Sequence, residues 1–565
     1  MADEGYSEVF RDICKPLFKR FADPIEKCRE LAAVMTRCFF ERCCDIVPVL
    51  GYYFPALIAR LPSGYAYDEE MKVFVADMDA HDAFRRGRAV VRQDRTGSVS
   101  VAAHTVVEPS EEIRLLSCQT LATLIHRMQE VGACPVLHPY FQEIVVYLQA
   151  QLRDPFPDLK SAACGALEAL ARTDDYAPGM KFFAVGLVRA VLPCLRHRQA
   201  KVRCAAVAAC HACMVVHDPA KRKASGSEAI TDLVGFREEN VLPVASFYGA
   251  DVQVNHLAEL VGDKSVAVRE ELAKFLYVLL TEIGDRYDHN TRLLPYVLDL
   301  LTDEMPSVAN VALACLQRCG REYEDEHQDE IRDKRQYGVD GAATLNLDKP
   351  LPRPFLERPR VGMRLFVRGN SKRFLTALVN ELTSWQSCTR LKSALLLKML
   401  VVLCEEHLTV DAHTLFPSFI KAAKFAKDDK DLELAAALSD VFELLGRYIQ
   451  PDVYVYYVLP RLRGDADVVQ FGVDATTRAV AMEFLQALLS GSKPSCVVPH
   501  LDELVTVLTD PFVVPHDSPL VQAASLELLL SVFEAIRGRG NAVVASHFVA
   551  TGRLSSLHKT VRLAF

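Results

Sequence analysis

The sequence has no surplus of positive charge. Its 565 residues include 65 lysines and arginines against 73 aspartates and glutamates, which gives a formal net charge of −8. A protein that binds nucleic acid along its length normally carries a basic stripe. The charge balance therefore argues against a nucleic-acid scaffold and favours protein partners.

Long uninterrupted apolar runs are also missing. The first ten residues, MADEGYSEVF, contain acidic residues and no apolar core, so they do not resemble a secretory signal. Elsewhere the apolar runs are broken within about 18 residues, as at Lys398, which is too short for a membrane span. We expect a soluble, intracellular protein.

The motifs of common catalytic sites are absent from the sequence. It contains no glycine-rich phosphate loop, no paired zinc-protease histidines and no nucleophile elbow. The 17 cysteines are spread through predicted helices of a chain without a secretory signal, so we expect reduced core residues. In the densest cluster, Cys210 and Cys213 share a helix face while His211 points about 100° away, which disfavours a metal site. We predict no enzymatic activity, no cofactor and no metal.

A helix, a turn and a second helix can be recognised between residues 286 and 330. The apolar residues of the first helix recur with the spacing of one helical face, and they are Leu294, Val297, Leu298 and Leu301. Residues 302–306 interrupt the pattern, because proline disfavours helix in the residue before it and fits the first turn of a new helix. A second apolar stripe follows and consists of Val308, Val311, Ala312, Cys315, Leu316 and Cys319. One pair of short helices cannot bury both stripes, so we expect further pairs on either side.

The same pattern recurs along the chain. Turns near Asp154, Arg198 and Gly262 each precede a similar apolar face, and successive turns lie about 40 to 60 residues apart, near the period of HEAT and armadillo pairs. The predicted fold is all-α, a HEAT/armadillo-like superhelical solenoid of roughly ten helical hairpins. In the first pair, residues 9–42, the residues predicted to face the core are Leu31, Val34 and Met35.

Two irregular segments divide this series into predicted domains. Residues 62–107 have no sustained period and are interpreted as an insertion within the N-terminal repeats, which span residues 1–330. Residues 331–360 contain several prolines, which favour an extended linker over a long helix. The C-terminal repeats then span residues 361–565. Because the end of the chain shows no obvious polar cap, we expect further repeats to be missing there.

A basic residue follows the turn in several of the pairs. These residues are Arg114, Lys160, Arg203 and Arg269. One interpretation is a ladder in which each pairs with an acidic residue of an adjoining turn, such as Asp154, Asp158 or Asp263, and sets the register between repeats. The other is a basic row on the concave side that receives an acidic partner. The sequence leaves both roles open.

Several stretches are shared with one family of helical-repeat proteins. They are DPFPDLKSAACGALEALA at residues 154–171, EPSEEIRLL at 108–116, LTDEMPSV at 301–308, PRVG at 359–362 and SWQSCTRLKSALLL at 384–397. In this order they resemble the dynein axonemal assembly factor 5 family of HEAT-repeat proteins, and the resemblance covers most of the chain. The insertion and the early C-terminus depart from the pattern expected of that family.

The resemblance implies a cytoplasmic factor that helps dynein arms assemble before they enter a motile cilium or flagellum. As a scaffold, such a protein would hold dynein intermediate or heavy chains beside chaperones and other assembly factors. The residues alone leave two further classes open. A nuclear transport receptor should bind a small GTPase through its N-terminal repeats, and a phosphatase regulatory scaffold should copurify with a catalytic subunit.

Overall fold

The structure, a computed structural model, describes most of the chain. The described residues are 2–43, 45–61, 65–68, 73–76, 108–217, 224–225, 229–234, 255–336, 346, 349–464, 474–515 and 518–537. The chain divides into two compact units, Met1–His289 and Asn290–Phe565. Each unit is a series of helical pairs.

The first unit contains the helices of the first five predicted pairs. They are α1 (Ala2–Lys19), α2 (Glu26–Arg42), α3 (Val47–Ile58), α4 (Glu111–Glu130), α5 (Phe141–Leu152), α6 (Pro157–Ala171), α7 (Ala177–Leu195), α8 (Ala200–Met214), the short α9 (Ile230–Val234), α10 (His256–Val261) and α11 (Val266–Thr281). The second helices of successive pairs pack on one another, α2 on α4, α4 on α6, α6 on α8 and α8 on α11. This stacking buries the apolar stripes that a single pair would leave exposed.

The turn before α6 shows why the chain reverses where the sequence predicts. A carboxylate oxygen of Asp154 accepts a hydrogen bond from the backbone N–H of Phe156 at 2.8 Å, and Pro157 occupies the first helical position. The carboxylates of Asp23 and Asp263 accept in the same way from the N–H two residues later. The aspartate thus fixes the turn before the second helix of each of these pairs.

Two short hairpins accompany the helices of the first unit. Strands β1 (Tyr65–Asp68) and β2 (Val73–Ala76) pair antiparallel within the predicted insertion, and β3 (Val216–His217) pairs with β4 (Ala224–Ser225). Phe74 of β2 is buried, and its N–H donates to the side-chain oxygen of Gln149 on α5. Other residues of the predicted insertion lie outside the described residues. The hairpins add to the all-α fold without interrupting the helix stacking.

By length and composition, one segment among the described residues, Asp174–Leu195, could cross a lipid bilayer. It contains α7, and half of its most apolar window is buried inside the protein. Met180, Leu187 and Val191 of this helix are buried completely. An apolar core helix of a repeat satisfies the same length and composition test.

The second unit contains the remaining predicted pairs. Its helices are α12 (Asn290–Leu300), α13 (Pro306–Glu326), α14 (Gln328–Gln336), α15 (Val361–Glu381), α16 (Ser387–Cys404), α17 (Ala412–Asp428), α18 (Leu432–Tyr448), α19 (Pro451–Arg463), α20 (Ala475–Gly491), α21 (Pro494–Val497), α22 (Leu501–Leu508) and α23 (Pro519–Arg537). The pair predicted at residues 286–330 is α12 and α13, and the apolar positions Leu298 and Leu316 are buried completely. The all-α solenoid class is confirmed.

The proline-rich segment does not coincide with the division into compact units. Helix α13, before the segment, packs directly on α15, which follows it. Within the segment, Phe355 is buried, and the guanidinium of Arg358 donates to both carboxylate oxygens of Glu405, each at 2.8 Å. These contacts attach residues 349–360 to the second unit, and the domain bounds drawn at residues 331–360 stay a prediction.

One detail of the predicted core is wrong. Leu31 and Met35 of α2 are exposed, and the residues that α2 buries are Arg29, Ala32, Ala33, Thr36 and Phe40. Small residues on this face let α2 pack closely on α4. Apolar residues lie on both sides of the helix, so the spacing alone did not identify the inner one.

Candidate partner-binding groove

Arg114 connects two neighbouring turns of the first unit. Its Nε donates to Asp154 at 2.7 Å and its Nη2 donates to the other oxygen of the same carboxylate at 3.1 Å. Its Nη1 donates to the carbonyls of Glu108 and Pro109 in its own turn, both at 3.1 Å. The arginine therefore provides hydrogen-bond donors for the backbone carbonyls of its own turn and also binds the carboxylate of the next turn.

Arg203 makes the same arrangement one step further along. Its Nε and Nη2 bind the Asp263 carboxylate at 2.6 and 2.7 Å, and its Nη1 donates to the carbonyl of His197 at 2.7 Å. Burial disfavours ionisation of Asp263, but the hydrogen bonds from Arg203 and from the Ser265 N–H outweigh it, so the pKa of Asp263 is below its ordinary value.

Lys160 and Arg269 occupy the corresponding positions, and each donates a hydrogen bond to a backbone carbonyl. The Nζ of Lys160 donates to the carbonyl of Leu152 at 2.8 Å. The turn that follows Lys160 has His197 where other turns have an acidic residue. Arg269 is buried and its Nη1 donates to the carbonyl of Asp263 at 2.7 Å.

Arg29 belongs to the same series, although the sequence analysis did not identify it. Like Arg114 and Arg203, it lies six residues after the turn residue whose carbonyl it binds. Arg29 donates to the carbonyl of Asp23, six residues earlier, and binds the Glu108 carboxylate with Nε and Nη2 at 2.8 and 2.9 Å. The spacing that links Glu108 to Arg114 could have identified it. We call these turn-to-turn pairs the arginine ladder.

The arginine ladder leaves little of its charge available to a partner. The side chain of Arg114 is 9 % exposed and that of Arg203 is 16 % exposed, and both are bound to carboxylates. A basic row for an acidic partner would need these groups to be open to solvent. A candidate binding surface in the first unit must therefore be sought elsewhere on the second helices.

Such a surface is an open groove of about 770 Å³ that crosses the second helices of three successive pairs. It is lined by Glu168 and Arg172 at the end of α6, by residues of α8 and by the first half of α11. The small side chains along it are Ala200, Cys204, Ala205, Ala208 and Ala267. Because these side chains are short, the backbones of α8 and α11 are open to close approach by another chain.

Charged pairs border the small residues of the groove. Lys201 on α8 lies 3.0 Å from the carboxylate of Asp158 on α6, and Arg172 lies 2.8 Å from Glu168. Both signs of charge are thus present at the rim. An incoming protein can form hydrogen bonds and ion pairs there while it packs on the alanines.

His211 and Glu271 connect α8 and α11 across the groove. The Nδ1 of His211 lies 3.7 Å from the Glu271 carboxylate, and the imidazole stacks on Phe275 with a centroid separation of 5.7 Å. Lys274 lies 3.1 Å from the same carboxylate. The imidazole and then the ammonium of Lys274 outweigh the effect of burial and lower the pKa of Glu271 to about 2. The acidic side of the groove is therefore ionised at neutral pH.

The cysteines near this groove are free thiols. Cys210 and Cys213 are fully buried in the core, whereas Cys204 faces the groove and its Sγ lies 3.7 Å from the carbonyl of Ala267. Within the described part of the chain, no three histidine, cysteine, aspartate or glutamate side chains converge as metal ligands would.

Sequence comparison matches most of the chain to one family. A family model described as dynein axonemal assembly factor 5, HEAT-repeat domain, matches residues 351–550. A second, described as dynein axonemal assembly factor 5-like, TPR repeats, matches residues 98–224 and 239–334. HEAT and TPR repeats are both stacked helical pairs, which agrees with the fold.

Curated relatives extend the similarity. The chain is 24 % identical over 516 residues to a Xenopus laevis protein named dynein axonemal assembly factor 5, which covers 90 % of the chain and 49 % of the relative. The proteins of the same name from Mus musculus and Homo sapiens are 23 % and 24 % identical, and each alignment covers 87 % of the chain and 47 % of the relative. The chain thus spans about half the length of these relatives.

Proposed function

Because the chain belongs to the dynein axonemal assembly factor 5 family, we propose that it is a non-enzymatic scaffold for the preassembly of axonemal dynein arms. It holds dynein intermediate or heavy chains in the cytoplasm before the arms enter a motile cilium or flagellum. The relatives' name supports this role, and a stack of helical pairs supplies an extended surface for more than one protein. Chaperones and other assembly factors are the further partners in this proposal.

We assign the binding of the dynein chain to the groove on α6, α8 and α11. The observation that carries this assignment is the row of alanines with charged pairs of both signs at its rim. Short side chains permit a helix or loop of another protein to approach the backbone, and the ionised Glu271 and neighbouring Lys274 provide polar contacts around it. Arg203 then acts as a positioning residue that keeps α8 and α11 in register through its pair with Asp263.

The proposal is tested by capture of a dynein chain with purified full-length protein. Ala208→Arg places a long charged side chain in the groove without removing a core contact, because Ala208 is only half-buried. We expect this variant to bind an axonemal dynein intermediate or heavy chain at least about tenfold more weakly than the wild type. Thermal melting and circular dichroism should be unchanged.

The matched control changes an exposed residue on a first helix. Phe182 on α7 is exposed and does not line the groove, so Phe182→Ala should bind the dynein chain as the wild type does. Equal binding by wild type and Ala208→Arg would reject the groove as the binding site. Failure of the wild type to bind any axonemal dynein chain would reject the scaffold role itself.

A further inference from the structure

Two large apolar side chains are exposed on neighbouring turns of the second unit. Trp385, the single tryptophan of the chain, is 86 % exposed in the turn between α15 and α16. Leu432 is 83 % exposed at the first position of α18, after the next turn. A hydrogen bond between the side chains of Ser387 and Asp431 joins the two turns. Both apolar groups therefore lie on one edge of the unit, where water contact is unfavourable.

The last pair of the unit shows how an exposed aromatic ring at such a turn is covered. Phe512 lies in the turn between α22 and α23, and the guanidinium of Arg478 is 5.3 Å from the centre of its ring. Arg478 also donates to the carbonyl of Phe512 at 3.0 Å. Arg478 is the fourth residue after Asp474, the N-cap of α20. The arginines of the ladder occupy the same fourth position in their own helices.

In the pair before the Trp385 turn, the residue that corresponds to Arg478 lies on α13 and is not an arginine. The fourth residue after the N-cap of α13, Met305, is Ala309. Among the residues that the structure describes, no lysine or arginine lies over the indole of Trp385. The indole face is therefore open at a place where the last pair of the unit has a guanidinium.

Acidic residues outnumber basic ones in the turn that the Ser387–Asp431 hydrogen bond joins to the Trp385 turn. Residues 427–433 contain Asp428, Asp429, Asp431 and Glu433 against Lys427 and Lys430. Asp429 is paired with Arg390, whose Nη1 donates to the Trp385 carbonyl at 3.5 Å, and Lys427 is paired with Glu483. Asp431 accepts hydrogen bonds from the Ser387 hydroxyl and the Leu434 N–H, which lower its pKa. A cation that stacks on an aromatic face gains further from carboxylates beside it.

We propose that Trp385, Leu432 and these carboxylates form a docking surface for a basic, arginine-containing segment of a partner protein. An arginine of the partner stacks on the Trp385 indole, as Arg478 does on Phe512, and an apolar side chain of the partner covers Leu432. The carboxylates exclude acidic partners and nucleic acid. This surface is separate from the groove of the proposed function and does not depend on which protein the groove holds.

The test uses purified full-length protein and short synthetic peptides. The first peptide contains arginine and leucine, the second has glutamate in place of each arginine, and the third has serine in place of each leucine. Because Trp385 is the only tryptophan, its fluorescence reports on this surface alone. We expect the arginine and leucine peptide to shift the emission to the blue and to protect the indole from acrylamide. Affinity for this peptide should fall as salt rises.

Variants followed by anisotropy of a labelled peptide complete the test. Trp385→Ser should weaken binding at least about tenfold, and Asp428→Asn with Glu433→Gln should weaken it less. Tyr456→Ser is the control, because Tyr456 is exposed elsewhere in the unit. Unchanged affinity of Trp385→Ser, or equal binding of the glutamate peptide, would overturn the proposal. A blue shift that appears when only the protein concentration is raised would also overturn it, because a second copy of the chain would then cover the indole. A negative result here, with dynein capture intact, leaves the proposed function standing.

Discussion

Arg203 and Asp263 join the second helices of two neighbouring repeats through two hydrogen bonds. The bonds are 2.6 and 2.7 Å long, and both groups are largely removed from water. The partners are 60 residues apart in the chain, so the pair fixes a contact that local structure does not specify. Its role is register, because α8 and α11 together form the groove to which we assign dynein binding.

Loss of one partner of this pair should destabilise the first unit. In Asp263→Asn the charge of Arg203 stays buried without its counter-ion, so we expect the free energy of unfolding to fall by about 2–3 kcal/mol. Urea unfolding monitored by circular dichroism measures this change. Lys201→Ala, which removes the exposed pair with Asp158, serves as the control and should change stability by about 0–1 kcal/mol. Similar values for both variants would show that the ladder does not stabilise the stack.

A carboxylate introduced at residue 197 should form an ion pair with Lys160, where the arginine ladder has no pair between neighbouring turns. His197 occupies the turn position that is acidic elsewhere, and its Nδ1 accepts from the Gln199 N–H at 3.2 Å, as the aspartates do. The carboxylate in His197→Asp keeps this acceptor and gains a nearby ammonium. We expect the variant to be more stable by about 0.5–1 kcal/mol at pH 7. A melting temperature equal to or below that of the wild type would contradict the ladder geometry at this position.

Close backbone contact between α18 and α20 should make Gly446 intolerant of a side chain. A Cβ at Gly446 would lie 1.8 Å from the carbonyl oxygen of Leu488, so Gly446→Ala must separate the helices. We expect a loss of at least about 2 kcal/mol in unfolding free energy. In Gly369→Ala of α15, where no atom lies within 4 Å, alanine should instead stabilise the helix by about 0.5–1 kcal/mol. The change in unfolding free energy should therefore have opposite signs in the two variants. If Gly446→Ala did not lower the unfolding free energy, the close packing of α18 on α20 would be refuted.

Acid should weaken the contact between α8 and α11 through Glu271. The pKa of this carboxyl is about 2 in the folded protein and ordinarily 4.5. A group with a lower pKa in the folded state stabilises that state above its unfolded pKa, and this contribution disappears as pH falls toward the folded value. Between about pH 5 and pH 2 the wild type should therefore lose about 1–3 kcal/mol more than Glu271→Gln. Parallel pH dependences in urea unfolding would mean that Glu271 makes no such contribution.

Local spacing predicted the helical pairs because their determinants lie close together in the sequence. The apolar stripes at Leu298 and Leu316 follow the helical period, and the turns follow from aspartate and proline. The same spacing misplaced Leu31 and Met35, since α2 carries apolar residues on more than one side and only packing on α4 selects the inner face. The sequence also places a domain boundary at the prolines of residues 331–360, and it could not show that α13, before the prolines, packs on α15, which follows them.

The groove could not be predicted in the same way. Glu168, Ala208 and Glu271 come from three helices of three repeats, and nothing local to any of them indicates that they share one surface. The sequence identifies the four basic residues because each comes just after a turn, but the carboxylate partners of Arg114 and Arg203 lie 40 and 60 residues further along the chain. Each basic residue can either pair with an acidic residue of the next turn or remain open to an acidic partner protein. The long-range contact decides between these two roles. Arg29, with the same spacing, was missed.

Hydrogen exchange in the presence of a dynein chain identifies the helices that the bound chain covers. Amide exchange of the full-length protein is measured by mass spectrometry with and without a bound axonemal dynein intermediate or heavy chain. We expect slower exchange in α6, α8 and α11, which border the groove, and no change in the first helices α5 and α7. Protection confined to α5 and α7, or no protection anywhere in the first unit while the dynein chain is bound, would contradict this expectation.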